Sequence, residues 1–388
     1  MSQYDYSMHP LGNKRRLARS RVLLTLSILL TVGLVVSVAV VARGGKPQSR
    51  STASKPKAKA STLQETQFKG IIVGSTNGLN RWTLSAYDPD KGLVATRTFS
   101  YDDFGTAPTG GPRLHGEIAR QLFSADYTKM AVYELADDGT QSIGYINEAG
   151  TFTNLTPPKT DYSTVQKQTY PLFNPVTGRI WFNTPSKIGS VDPKAGPSSS
   201  RNEPFDTYYH HNGLLDKREM SSFYFAPNGS TPLDTKPDIL WDYDYFIYSP
   251  DNKSKVQYVL GGLGPNGVDR VGGGFKVNGS MLTPFPRRTS YCKLQRFIHN
   301  TTFLCLSDKE TQLYKMTVQN NLAATAGPLL PESERKVSDS VGGPHGNQVA
   351  FIASSGDVSS LYVIDSKGGQ PQKVADVGDT SVLLSWED

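Results

Sequence analysis

The sequence predicts an all-β body, a β-propeller of four-stranded blades, carried behind a single transmembrane helix. One segment, from Val22 to Ala42, is uncharged and long enough to span a bilayer. From Gly70 onward, short stretches rich in β-branched and aromatic residues alternate with Gly, Pro, Asn and Asp. Along that body a turn followed by a strand recurs, and about 320 residues hold six or seven units of the roughly 40–50 residues that a propeller blade takes.

The elements follow in chain order. Residues 1–21 form a basic tail in which Lys14, Arg15, Arg16, Arg19 and Arg21 crowd the hydrophobic segment. Residues 22–42, VLLTLSILLTVGLVVSVAVVA, contain no charge, and about 20 of them in a helix rise about 30 Å, the thickness of bilayer hydrocarbon. The dense basic cluster before this first apolar segment predicts a cytoplasmic N-terminus and a translocated body. Arg43, Lys46, Arg50, Lys55, Lys57 and Lys59 on the other flank weaken that asymmetry. The competing reading is a cleaved secretory signal ending at Val40-Val41-Ala42, which would leave the body secreted. Both readings put it outside the cytoplasm. Residues 43–68 are rich in Lys, Ser, Thr, Ala and Gln without apolar periodicity, so they are expected to form a flexible linker with a reach of about 28 Å.

Charge supports this division. The chain of 388 residues has 41 Lys and Arg against 35 Asp and Glu, a net charge of +6. Residues 1–60 hold 11 basic residues and one acidic residue, Asp5, or +10, so the remainder carries 30 against 34, or −4. The basic character therefore belongs to the membrane flank, where it faces lipid, and no nucleic-acid partner is expected. Two cysteines exclude a disulfide-dense miniature fold, unperiodic glycine excludes collagen, and a single apolar span excludes a polytopic membrane protein.

Within residues 69–388 the strand candidates include Ile71–Val73, Arg81–Tyr87, Leu93–Phe99, Met130–Tyr133, Arg179–Phe182, Val256–Val259, Thr302–Leu306, Gln348–Ala353 and Leu361–Ile364. Repetition decides among sandwich, barrel and propeller. Phe173-Asn174-Pro175-Val176-Thr177-Gly178-Arg179 matches in spacing Gly342-Gly343-Pro344-His345-Gly346-Asn347-Gln348. Phe123-Ser124-Ala125-Asp126 has the same shape, and Tyr248-Ser249-Pro250-Asp251 begins a fourth copy. After the last copy, Leu361-Tyr362-Val363-Ile364-Asp365-Ser366-Lys367-Gly368-Gly369 and Gln372–Ala375 supply a third and a fourth strand, which makes a blade.

These motifs resemble the TolB-type β-propeller repeat: an aromatic-Ser-Pro-Asp-Gly turn, an apolar-Ala-aromatic strand, then a Leu/Ile-Tyr-Val-x-Asp strand ending in Gly-Gly. The match is good over 341–388, partial near 119–156, 168–192 and 245–260, and poor elsewhere; no copy keeps the whole turn motif. The length allows six or seven blades. Six is preferred, centred near 70–100, 118–156, 168–207, 214–262, 278–327 and 337–377. The first starts one strand short, so Ser381–Trp386 is expected to pair into it and close the ring.

Chemistry is sparsely signalled. No zinc-protease, serine-hydrolase or Walker motif occurs, and no cofactor or metal is expected. His115, His210 and His211 fall in expected inter-blade loops that could converge over the channel, where imidazoles bind ligands or move protons. Trp241 and Tyr243, with Tyr245, alternate onto one strand face that either stacks on a ligand or packs between blades. Cys292 and Cys305 flank a hairpin near His299-Asn300 and form either a cross-strand disulfide or two buried thiols. Asn154, Asn228, Asn252, Asn278 and Asn300 begin Asn-x-Ser/Thr sequons; about three are expected by chance in a chain this rich in Asn, Ser and Thr, so they do not reveal the source, and in a eukaryotic source they would carry surface glycans.

The functional expectation is a binding or interaction module for a protein or polymer, held at the membrane by its helix. The TolB-type resemblance implies that role by analogy, since one fold hosts many functions. The alternative is a hydrolase or lyase acting on a glycan or small ester at the channel.

Overall fold

The computed structural model describes residues 68–388 apart from 77–79, 107–115, 136–140, 157–168, 184–186, 207–208, 212–213, 217–222, 226–231, 235–245, 252, 260–273, 279, 282–292, 308, 320–321 and 332. The expected tail, the hydrophobic segment at 22–42 and all but the last residue of the linker lie outside the described residues. Among the described residues no helix is long and apolar enough to cross a membrane.

The body is a succession of antiparallel hairpins. Sheet 1 begins with β1 (Gly70–Thr76), β2 (Arg81–Asp88) and β3 (Gly92–Ser100). Sheet 2 contains β4 (Phe104–Gly105), β5 (Lys129–Leu135), β6 (Gln141–Asn147) and β7 (Phe152–Asn154), with the one-turn helix α1 (Gly116–Arg120) between β4 and β5. Sheet 3 contains β8 (Thr169–Phe173), β9 (Ile180–Asn183), β10 (Lys187–Asp192) and β11 (Gly196–Asp206). Two small hairpins follow, β12 (Tyr209–His211) with β13 (Leu214–Asp216), and β14 (Phe223–Phe225) with β15 (Pro232–Asp234). Sheet 4 contains β16 (Phe246–Tyr248), β17 (Lys255–Val259), β18 (Gly274–Val277) and β19 (Ser280–Met281). Sheet 5 contains β20 (Lys293–His299), β21 (Thr302–Leu306), β22 (Leu313–Gln319) and β23 (Leu322–Pro328). Sheet 6 contains β24 (Lys336–Gly342), β25 (Gln348–Ser355), β26 (Val358–Asp365) and β27 (Gln372–Val377). The last strand, β28 (Ser381–Glu387), returns to sheet 1 and pairs antiparallel with β1, from Gly70↔Glu387 to Ser75↔Ser381. Among the described residues there are thus six four-stranded antiparallel sheets, and the C-terminal strand completes the first of them as the sequence predicts.

The apolar side chains explain why these sheets stack. On β2, Trp82, Leu84 and Ala86 alternate inward with the two-residue period of a strand. On β26, six consecutive residues are buried, so that strand is covered on both faces. Apolar clusters join sheets 1, 2 and 3 to one another, sheet 4 to sheet 5, and sheet 5 to sheet 6. Trp82 and Phe99 meet Phe123 and Met130 between sheets 1 and 2, while Ala131 and Ile143 meet Ile180 and Phe182 between sheets 2 and 3. Val256 and Val277 meet Leu294 and Phe303 between sheets 4 and 5; Leu304 and Leu313 meet Val349 and Phe351 between sheets 5 and 6. The series continues past the end of the chain, for Ala350, Ile352 and Leu361 of sheet 6 pack with Ile71, Val73 and Leu383 of sheet 1.

The repeat read from the sequence is one turn geometry. The N–H of Ser124, Asn174, Ser249 and Gly343 donates to the carbonyl five residues on, in Lys129, Arg179, Ser254 and Gln348. In the serine copies the hydroxyl also accepts from that fifth residue's N–H and donates to the aspartate at the third position, Ser124 to Asp126 at 2.6 Å and Ser249 to Asp251 at 2.8 Å. Asn174 closes its own Asx turn onto the N–H of Val176 and Thr177. The chain turns through the left-handed region at Tyr127 (φ 57°) and Gly346 (φ 66°), three residues into their copies, and at Gly178 (φ 67°), four residues into its own, a conformation that suits glycine. A further copy, unmarked in the sequence reading, runs from Ser307 to Gln312 and passes through Glu310 (φ 60°).

Two expected blade positions shift. The fourth, centred on 214–262, is a sheet of 246–281, because 209–234 is occupied by the two small hairpins; the fifth, centred on 278–327, begins at Lys293. Ser280–Met281, expected to open the fifth sheet, pairs back onto Lys276 and Val277 and ends the fourth.

Candidate functional site

The densest polar chemistry among the described residues surrounds β28, where α1 meets one edge strand each of sheets 1, 5 and 6. All three edge strands carry a β-bulge there. Leu294 pairs with Cys305 and Phe297 with Phe303, so Gln295 and Arg296 together oppose one residue of β21. Ser338 is the extra residue between Val337 and Asp339 on β24, and Leu384 is the extra residue on β28. A bulge re-aims side chains and carbonyls that a regular ladder would point elsewhere.

The re-aimed groups meet. Arg296 donates from Nη1 to the carbonyl of Leu384 at 3.1 Å and from Nη2 to the carbonyl of Leu383, and Nη2 lies 3.4 Å from Asp339 Oδ2. The same Oδ2 accepts the N–H of Leu383 at 2.7 Å, while Oδ1 accepts the N–H of Ser340 at 2.8 Å. Both charged side chains are about nine-tenths buried, so each depends on the other and on the backbone of β28 for compensation. Gly116 of α1 lies directly against this group: a Cβ there would collide with the Leu383 carbonyl, the Arg296 guanidinium and the Asp339 carboxylate.

Glu117, the next residue, keeps partial solvent access but is enclosed by dense protein. Burial pushes its carboxyl pKa up; the positive charge of Arg296 opposes that rise and the negative charge of Asp339 adds to it. At the other end of α1, Arg120 donates to the carbonyls of Phe123 (3.0 Å), Ser124 (3.1 Å) and Ala125 (3.2 Å) and stacks 4.1 Å over the ring of Tyr127. The Tyr127 hydroxyl is hydrogen-bonded to Ser385 and donates to Glu387 at 3.5 Å, and its desolvation raises the phenol pKa. Three consecutive residues of β28, Leu383, Leu384 and Ser385, are thus held by side chains of β20, β24 and the turn before β5, in addition to the ladder with β1.

The residues singled out from the sequence are distributed differently. His210 and His211 lie on β12, opposite Leu215 and Leu214, in a small hairpin rather than a loop. His115, Trp241, Tyr243 and Cys292 lie outside the described residues. Cys305 is buried on β21 among Val256, Leu294 and Phe303 and is disulfide-bonded. Among the described residues no group of three or more His, Cys, Asp or Glu side chains is placed to hold a metal ion. Arg296 and Asp339 were missed by sequence reasoning, yet a signal existed: each is a charge in the interior of a strand segment, Lys-Leu-Gln-Arg-Phe-Ile and Lys-Val-Ser-Asp-Ser-Val, and opposite charges in such settings imply a partner.

No family model and no curated protein matches the chain. Solved structures similar to it include TolB-type proteins from two bacteria. The one from Agrobacterium tumefaciens is 12% identical over 82% of this chain and 93% of its own, with a TM-score of 0.35. TolB from Acinetobacter baumannii is 15% identical over 82% of this chain and 67% of its own, with a TM-score of 0.34. The AtxE2 isopeptidase bound to astexin-3 is 10% identical over 80% of this chain and 54% of its own, with a TM-score of 0.36. Superpositions this partial carry no functional assignment to this chain.

Proposed function

We propose that the chain is a membrane-tethered β-propeller of six blades, displayed outside the cytoplasm and acting as a binding module for a protein or polymer. The observation that carries the ring is the sharing of apolar clusters, which links sheets 1, 2 and 3, links sheets 4, 5 and 6, and joins sheet 6 to sheet 1. The β28–β1 pairing closes it, as ring closure requires of a blade built from both ends of one chain. The tether is the uncharged segment at 22–42, with its N-terminal basic cluster on the cytoplasmic side. Lipid is then the partner of the helix, and a macromolecule is the partner of the body. A closed ring suits binding because it offers a rigid rim of turns on which recognition residues can vary.

Protease added to intact cells expressing the full chain tests the location: the body is digested from outside, and protection until lysis overturns the reading. Photo-cross-linkers placed in the rim turns of the same displayed chain test the role. A discrete, saturable adduct from neighbouring turns is the expected result, and the absence of any adduct from the whole rim sinks it.

A hydrolase or lyase reading is favoured by one feature, the raised pKa of Glu117 beside Arg296, since a carboxyl held protonated by burial is suited to donate a proton. Loss of turnover of a glycan or ester in Glu117→Gln with a melting temperature no lower than the parent's would favour it over binding.

A further inference from the structure

Sequons are common in chains rich in Asn, Ser and Thr, so their presence alone decides nothing; their placement does. Asn278 and Asn300 are far apart in sequence but converge on the first turn of sheet 4, Ser249–Ser254. Asn278 follows β18 in the two-residue turn to β19, has the left-handed conformation (φ 50°), and is exposed. Its Oδ1 accepts the N–H of Lys255 at 2.8 Å. Asn300 lies in the two-residue turn between β20 and β21, is also exposed, and its Oδ1 accepts the N–H of Asp251 at 3.2 Å.

We infer that Asn278 and Asn300 are acceptors for N-linked glycans, placed side by side on the turn end of sheets 4 and 5. This rests on the proposed location outside the cytoplasm and on a eukaryotic source. In the transfer, the side-chain nitrogen attacks C1 of the first N-acetylhexosamine of an oligosaccharide carried on a lipid pyrophosphate. The N–C1 bond forms, the bond from C1 to the pyrophosphate oxygen breaks, the amide gives up one proton, and the lipid pyrophosphate leaves. The product keeps its amide carbonyl, so the hydrogen bonds from Lys255 and Asp251 survive glycosylation. Both acceptors sit at exposed hairpin tips, where a bulky polar group displaces no core contact. The two glycans would cover that end of sheets 4 and 5 and leave partner recognition to other parts of the rim.

The test is expression of the full chain in eukaryotic secretory cells, followed by electrophoresis before and after treatment with peptide N-glycosidase. The expected result is a mobility shift that loses one glycan step in Asn278→Gln and one in Asn300→Gln. Ser280→Ala and Thr302→Ala remove the same steps while retaining both asparagines, which separates loss of the acceptor from damage to the turns. A third variant, Lys59→Asn, creates a reporter sequon in the linker. If the reporter is glycosylated and these four substitutions leave the native shift unchanged, the inference is wrong while the location stands. If neither reporter nor native sites are modified, the location reading fails and takes the inference with it.

Discussion

Sheets 1 and 6 have the same number of strands and the same antiparallel order, but they are held together differently. Sheet 6 is built from one continuous run, Lys336 to Val377, and successive strands are joined by short turns such as the one between Ser355 and Val358. Sheet 1 joins β1 to a strand from the opposite end of the chain, so no turn fixes β28 beside Gly70–Thr76. The entropy of closing so long a loop grows only slowly with its length, so the difference is less the cost of closure than the absence of a local restraint. Side chains supply that restraint. Arg296 of β20, Asp339 of β24 and Tyr127 of the turn before β5 all bind the main chain or hydroxyl of β28. Charge-assisted bonds thus help to secure a strand that no hairpin turn places.

The largest effect should come from deleting β28. Truncation after Thr380 removes Val382, Leu383 and Leu384, all nearly fully buried, and roughly 5–9 kcal/mol of apolar burial with them. That rivals the whole stability of an ordinary domain, about 5–15 kcal/mol. Calorimetry of the truncated chain should show loss or collapse of the cooperative transition. An unchanged melting temperature would mean that the body does not depend on its closing strand.

Breaking the clamp should come next. Arg296→Met leaves the Asp339 carboxylate buried with its charge uncompensated and should cost about 3–5 kcal/mol. Asp339→Asn keeps an acceptor for the Leu383 N–H and should cost less. The double variant should fall short of the sum by about 0.5–3 kcal/mol, the coupling of residues in one network. Strict additivity in denaturant titrations would show that the two charges stabilise β28 independently.

Gly116→Ala sharpens the contrast between a glycine required by close approach and one required by conformation. At Gly116 the added methyl meets a carbonyl, a guanidinium and a carboxylate, and the overpacking should cost about 1–3 kcal/mol. Gly150, in the turn before β7, has φ 74° and no atom within 4 Å of an added Cβ, so Gly150→Ala should show only the left-handed penalty of about 1–2 kcal/mol. Only the first should also weaken protection of the Leu383 amide in hydrogen exchange; equal protection in both would detach α1 from the clamp.

Smaller still is Tyr127→Phe, which removes a hydroxyl bonded to Ser385 and Glu387 and should cost about 1 kcal/mol. The ring and its contact with Arg120 remain, as does the left-handed backbone that a tyrosine occupies where the repeat prefers glycine. A loss several times larger would mean that the phenol holds more than the end of β28.

What the sequence disclosed follows from the same contrast. The turns at Ser124, Asn174, Ser249 and Gly343 were legible because local hydrogen bonding dictates their residue types, and local rules are written in consecutive residues. The return of Ser381–Trp386 was legible because an unpaired apolar strand needs a partner. The copy at Ser307 was hidden: it uses the same bonds but joins β21 to β22, with neither Pro nor Gly to mark it. The boundaries of sheets 4 and 5 were misplaced because Ser280–Met281 is too short to show alternation. The clamp was invisible for a physical reason. A bulge sets two residues opposite one, so Arg296, Asp339 and Leu384 sit where the two-residue period breaks, and pattern reading loses track of which side they face.

The finest test uses pH to separate the clamp from the turns. Burial holds the Glu117 pKa above its ordinary value of 4.5, so the folded protein retains a proton that the unfolded chain releases. Stability from this group is present below pH 4.5 and is lost as pH rises through the raised value, because the unfolded state binds fewer protons in that window. Asp126 behaves oppositely. Burial pushes its pKa up, but hydrogen bonds from Ser124 and Thr128 outweigh that and hold it below 3.8, so its contribution is present above 3.8 and fades as pH falls. Glu117→Gln should therefore match the parent chain near pH 4 and exceed its melting temperature progressively toward neutrality. Asp126→Asn should be weaker than the parent at neutral pH and converge with it in acid. Parallel pH profiles for the two variants would show that the carboxyl beside Arg296 and the carboxyl in the repeated turn have the same electrostatic setting, and would remove Glu117 from the group that surrounds β28.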